Sequence, residues 1–245
     1  MLNRLKSIKF VMLVSFVSSL LLAIIYSSVK PMVDTNIILD KKQSILKSIG
    51  VDTSLLSNNE IEIKYKNHII ELVVDNNGNI VKNIDLSDIE WKENKSSGQT
   101  NYIVKSEGEL LINKYLPIYQ SKNPNGYIIP ISGKGLWSTL KGYFAVSEDK
   151  SSTLGIVFYA HGETPGLGAE IDKAWFQNQF KIDQGKKIFD EDRNLKSIKV
   201  NKQKNTLGKP YEVDGITGAT VTSDGVTKFL KRDLQRYINF LRVLN

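Results

Sequence analysis

In the run Asp214-Gly215-Ile216-Thr217-Gly218-Ala219-Thr220-Val221-Thr222-Ser223, two small residues, Gly218 and Ala219, leave the hydroxyl of Thr220 unobstructed. The run ends where a helical pattern begins, with Thr222 or Ser223 as the expected N-cap. A phosphate held at that point would face unpaired backbone N–H groups and the positive end of a helix dipole. Gly, Thr, Ser and Asp are also what an ordinary strand-to-helix junction uses, and residue types alone leave both readings open.

Two further stretches have the composition of ligand-facing loops. In Pro130-Ile131-Ser132-Gly133-Lys134-Gly135-Leu136-Trp137-Ser138, the glycines beside Trp137 would let backbone approach a flat aromatic ligand, or would let a buried Trp pack under a glycine turn. Gly133-Lys134 is not a phosphate-binding P-loop, because neither Ser nor Thr follows the lysine and the upstream glycine is missing. In His161-Gly162-Glu163-Thr164-Pro165-Gly166-Leu167-Gly168, Pro165 stiffens the chain while Gly166 and Gly168 permit close approach. His161 and Glu163 have the types of an acid–base pair, but no nucleophile accompanies them.

The run from Asp214 to Thr220 resembles the flavinylation motif Asp-Gly-x-Thr/Ser-Gly-Ala-Thr/Ser of the FMN-binding domain family, and matches it at all seven positions. The resemblance implies FMN joined covalently to Thr220 through its phosphate by a separate flavin transferase that also recognises Asp214, with Thr217, Gly218, Ala219, Thr222 and Ser223 around it. HGETPGLG recurs in the same family beside the isoalloxazine ring, which implies contacts from Glu163, Thr164, Leu167 and Gly168. With GKGLWS (Gly135, Leu136, Trp137, Ser138) preceding both, behind an apolar anchor, the chain resembles the C-subunit family of sodium-translocating NADH:quinone oxidoreductases. That implies a flavoprotein relaying electrons from an iron–sulfur centre to a B-type subunit, beside D-, E- and F-type subunits, in a complex that reduces quinone with NADH and exports sodium. A flavin carrier of an Rnf-type or other respiratory complex, and a non-redox anchored binding module, are the alternatives.

Composition narrows the chemistry further. There are no cysteines, which excludes thiolate-bound Fe–S clusters, c-type haem and disulfides, and two histidines make a transition-metal site a poor prospect. The net charge of +7 is spread along the 245 residues without a dense basic block, so nucleic acid is not an expected partner.

The elements that must position these residues begin with an uncharged run, Phe10 to Val29, long enough at 1.5 Å per residue to cross a hydrocarbon core of about 30 Å. A cleaved signal peptide would have a shorter apolar core and a small-x-small site. Residues 1–9 are expected in the cytoplasm, 10–29 in the membrane and the rest outside it, with Ser15, Ser18 and Ser19 as helix-docking contacts. Pro31 should end the span, and a helix should follow it to Gly50. Ile61, Ile63 and Tyr65 alternate with charges, predicting a strand, and His68 to Val74 another. Trp91 to Tyr102 reads as a loop. The expected fold is α+β, with a helix and first sheet-rich lobe over 30–120 and an FMN-binding domain of antiparallel sheet packed by helices over 121–245. Val226, Leu230, Leu234, Tyr237, Leu241 and Leu244 predict a final amphipathic helix, with Lys228, Lys231, Arg232 and Arg236 on its other face.

Overall fold

A computed structural model of the chain describes residues 2–106, 108–202, 206 and 208–243, and Leu244 of the expected apolar stripe lies outside them. Two compact units divide it, Met1–Lys41 and Lys42–Asn245.

Helix α1 runs from Leu2 to Ser48 without a break. No helix boundary falls at Pro31, where one was expected. Proline withholds one backbone N–H, but the hydroxyls of Ser28 and Thr35 donate to Ile24 O and Pro31 O at 2.9 Å on either side, supplementing the backbone bonding of this stretch. Its apolar part reaches a mean hydropathy of 2.5 with none of that window buried, as a membrane-crossing helix requires. The last turns of α1 belong to the second unit, where Ile45, Leu46 and Ile49 are buried, and Gly50 follows with φ +84°.

Residues Asn58–His68 form helix α2, not the expected strand. Ser57 and Glu60 make a capping box, each side chain bonding the other's backbone N–H, and Ile61 and Tyr65 are one helical turn apart on the buried side. Ile63, placed with them by the two-residue period, is half exposed. The cap decides the matter.

Strands β1 (Ile69–Asp75), β2 (Ile80–Val81), β3 (Ile89–Glu93), β4 (Thr100–Ser106), β5 (Glu109–Ile112), β6 (Tyr115–Lys122), β7 (Asn125–Lys134), β8 (Thr139–Ser147) and β9 (Thr153–Ala160) follow. Six of them form one antiparallel sheet in the order β2-β1-β6-β7-β8-β9, so residues on both sides of position 120 share it. The rest form a smaller sheet, β3-β4-β5. The expected loop over 91–102 is instead mostly the β3–β4 hairpin, whose turn is closed by Asn94 Oδ1 accepting from Ser96 N and Ser97 N.

After the short helix α3 (Ala174–Gln177), strands β10 (Lys199–Asn201) and β11 (Glu212–Asp214) pair in parallel, and helices α4 (Thr220–Arg236) and α5 (Ile238–Arg242) close the fold. Val226, Phe229, Leu230 and Leu234 of α4 are buried in one core with Ile129, Ile131, Phe144 and Phe158 of the large sheet. The expected polar face of α4 is only partly wet. Lys228 and Lys231 are exposed, but Arg232 bonds Ser132 O and Asp233, and Arg236 donates to Thr100 O and Asn113 Oδ1 while lying 4.7 Å over the Tyr102 ring.

Candidate functional site

Strand β11 delivers the chain to a tight turn. Ala219 N–H donates to Ile216 O at 3.1 Å, with Gly218 at φ +78° as the third residue, the left-handed position that glycine fills without strain. Thr220 is then the first residue of α4 and is exposed. The N-cap is Ala219, with no side-chain cap bond, in place of Thr222 or Ser223. Those two hydroxyl residues lie inside the first turn and are buried, Thr222 bonding Glu163 and Ser223 Oγ accepting from Ile216 N–H. A helix end with no side-chain cap leaves its first-turn N–H groups to solvent or to an anion.

Glu163 sits at the centre of the arrangement. Oε1 accepts from Trp137 N at 3.0 Å and from Ser138 N and Oγ at 3.1 Å. Oε2 accepts from Leu136 N at 3.1 Å and Thr222 Oγ1 at 2.7 Å. Ser138 Oγ in turn accepts from Gly162 N–H at 2.7 Å, so one hydroxyl links two loops. Space is tight around the carboxylate: a Cβ at Gly135 would lie 2.6 Å from Oε1, and one at Gly168 2.7 Å from both Oε2 and Thr222 Oγ1. Burial pushes the Glu163 pKa up, but the Thr222 hydroxyl and the N–H groups of Trp137, Leu136 and Ser138 outweigh it, and the net shift is below the ordinary value. The carboxylate is therefore ionised and acceptor-only, unsuited to proton transfer.

Around this buried tie the surface is apolar. Leu136 is 51 % exposed, Trp137 72 %, Leu167 41 % and Val221 52 %, so Trp137 does not pack under its glycine turn. Thr164, Thr217, Gly218 and Thr220 are exposed among the same three segments. Leu167 lies against the motif, its Cδ2 2.9 Å from where a Gly218 Cβ would be.

Asp214 is held by Thr206 and Gln179. Its Oδ1 accepts from Thr206 N and Oγ1, and Gln179 grips its backbone from both sides, accepting Asp214 N–H at 2.7 Å and donating to its C=O at 3.1 Å. Asp214 lines a cavity of about 340 Å³ with Trp175, Gln179, Gln184, Lys186, Thr206 and Gly208. Nothing in the residue pattern marks Gln179 or Thr206 as partners of the motif; both are ordinary polar residues brought in by tertiary folding.

The donor set suits a phosphorylated flat ring: an uncapped helix start with an exposed hydroxyl, beside exposed aromatic and aliphatic side chains on a fixed backbone. The described residues contain no group of His, Asp and Glu side chains able to hold a metal ion. The class of protein these features define is an FMN-binding domain, and that family matches residues 135–235.

The likeness extends well beyond the domain. The C-subunit of the Na(+)-translocating NADH-quinone reductase of Haemophilus ducreyi is 31% identical over 230 residues, covering 90% of this chain and 86% of that protein. Its counterpart in Pseudomonas aeruginosa is 30% identical, covering 89% of this chain and 87% of that one. Among solved structures, the same protein from Parabacteroides distasonis aligns with a TM-score of 0.65 and 34% identity over 88% of this chain and 98% of that one. NqrC of Shewanella oneidensis, at 24% identity and a TM-score of 0.64, shares the fold over 82% of this chain and 95% of that one. The chain belongs to the C-subunit family of Na(+)-translocating NADH-quinone reductases.

Proposed function

We propose that the protein carries FMN esterified through its phosphate to Thr220 and relays electrons within a sodium-pumping NADH:quinone oxidoreductase. The observation that carries this is the union of three separated sequence motifs by one buried carboxylate, Glu163, beneath a surface that ends at the exposed hydroxyl of an uncapped helix. Bound there, the flavin supplies one- and two-electron chemistry. The protein's own groups hold and orient it. The first-turn N–H groups of α4, which have no side-chain cap, would hold the phosphate, and Gly218 and Ala219 would leave Thr220 accessible to a flavin transferase. Exposed Trp137, Leu136 and Leu167 would supply apolar contact to the ring and Thr164 a polar one, while buried Gly168 leaves room for the Glu163–Thr222 bond. No side chain is needed as nucleophile or base on a substrate.

In this reading α1 anchors the chain with its N-terminus in the cytoplasm and its folded domain on the extracytoplasmic side. B-, D-, E- and F-type subunits are the partners, and sodium crosses through them, because Phe10 to Val29 contains no ionisable residue except Tyr26. The test is a denaturing gel of chain made with a flavin transferase, viewed under ultraviolet light, with mass analysis of the Thr220 peptide. A fluorescent band that vanishes in Thr220→Ala supports the proposal. A wild-type chain with an unmodified peptide refutes it.

A further inference from the structure

Glu163 has a geometry that positioning alone does not require. Its carboxylate is 6 % exposed as a residue, yet it is held ionised between the two sides of the surface, with Trp137 N on one oxygen and Thr222 Oγ1 on the other. Leu136 and Trp137 belong to the turn expected to face the ring, and Thr222 lies two residues beyond the proposed attachment point. A fixed charge in that place acts on whatever lies over those residues, and partial exclusion of water lengthens its reach.

We propose that Glu163 tunes the flavin electrostatically, as a permanent anion behind the cofactor surface that makes the ring harder to reduce. The inference rests on the reading of Thr220 as the FMN site. Reduction adds negative charge to the ring, and a like charge beneath opposes it. The donors around Glu163 partly offset that charge, which gives the inference its sharpest consequence. Neutralising the carboxylate and stripping one of its donors should move the midpoint in opposite directions.

Glu163→Gln keeps the shape and removes the charge. Its amide oxygen can still accept from Trp137 and Ser138, and Thr222 can turn its hydroxyl to accept from the new NH2, while Leu136 N–H loses its acceptor. Thr222→Val keeps the charge and deletes one donor, leaving the anion less compensated. The experiment is an anaerobic titration with dithionite, followed by flavin absorbance, of the full-length flavinylated chain in detergent at neutral pH. A positive midpoint shift in Glu163→Gln with a negative one in Thr222→Val supports the proposal. Shifts of the same sign in both, or unchanged midpoints with flavin attached, overturn it, since a purely structural loosening would not separate the variants by sign. Should Glu163→Gln fail to fold, the sign of the Thr222→Val shift decides alone. Absence of flavin from the wild-type chain would instead remove the Thr220 reading and this inference with it.

Discussion

The backbone N–H of Ser132 donates a 2.8 Å hydrogen bond to Asp233 Oδ2, joining β7 to α4 across 101 positions of sequence. Ser132 Oγ accepts from Thr100 N–H, so the same residue also reaches the small sheet. Arg232 and Arg236 complete the join from the helix side. The helix that begins at Thr220 is thus fastened near its far end to both sheets.

Asp233→Ala should therefore be costly. It leaves the buried Ser132 N–H unpaired and removes the partner of the part-exposed Arg232, a loss of about 1–3 kcal/mol. Urea unfolding of the domain should show a loss of that order. A loss under about 1 kcal/mol would mean that the cluster relaxes around the gap.

Gly225 is a second sensitive point on α4. A Cβ there would collide with Lys134 O at the end of β7. Gly225→Ala gains helix propensity of about 1 kcal/mol, yet overpacking against rigid backbone costs about 1–3 kcal/mol. The net expectation is a lower melting temperature and lower flavin content, because the shift moves α4 away from the turn that Glu163 holds. An unchanged melting temperature would show that the two elements can separate freely.

Gly218→Ala tests the turn before Thr220. An L-residue at φ +78° costs about 1–2 kcal/mol, and the new methyl must also displace the end of Leu167. Flavin incorporation, read as gel fluorescence per polypeptide, should fall further than stability does. Equal incorporation at equal expression would argue that this turn does not shape the acceptor hydroxyl.

The acid limb of stability should depend on Glu163. Its folded pKa lies below the ordinary value of 4.5, so the unfolded chain binds the proton more readily. The stability from this group is in place above about pH 4.5 and is lost as pH falls through the folded value. Melting temperatures of wild type and Glu163→Gln, measured from about pH 7 down to about pH 3, should converge as acid is added. A constant gap across that range would refute the linkage.

The second unit should stand by itself. A chain beginning at Lys42 keeps Ile45, Leu46 and Ile49 and the whole of both sheets. It is expected to be soluble without detergent, with a melting temperature close to that of the full chain. Aggregation of that fragment would show that residues before Lys42 support the fold.

How much of this was legible beforehand depended on the range of the interaction. The uncharged run of α1 and the stripe Val226-Leu230-Leu234 follow local periodicity, and the structure bears them out. At Asn58–His68 the Ser57–Glu60 cap overrides the alternating pattern, and over 91–102 the turn-forming residues at 94–99 occupy only the middle of a hairpin. In the site, the three motifs lie in separate stretches of sequence, and Glu163 joins them. The five donors that turn it inward come from a loop 25 to 27 positions back and a helix 59 ahead. No spacing rule reaches that far.

Thr220 opens a helix of 17 residues that is riveted to two sheets. A prosthetic group joined there has a leash only as long as one side chain and its own phosphate tail, with no swinging arm to ferry it between docking stations. Within its own domain the group would keep one address, and a redox partner would have to reach that single surface.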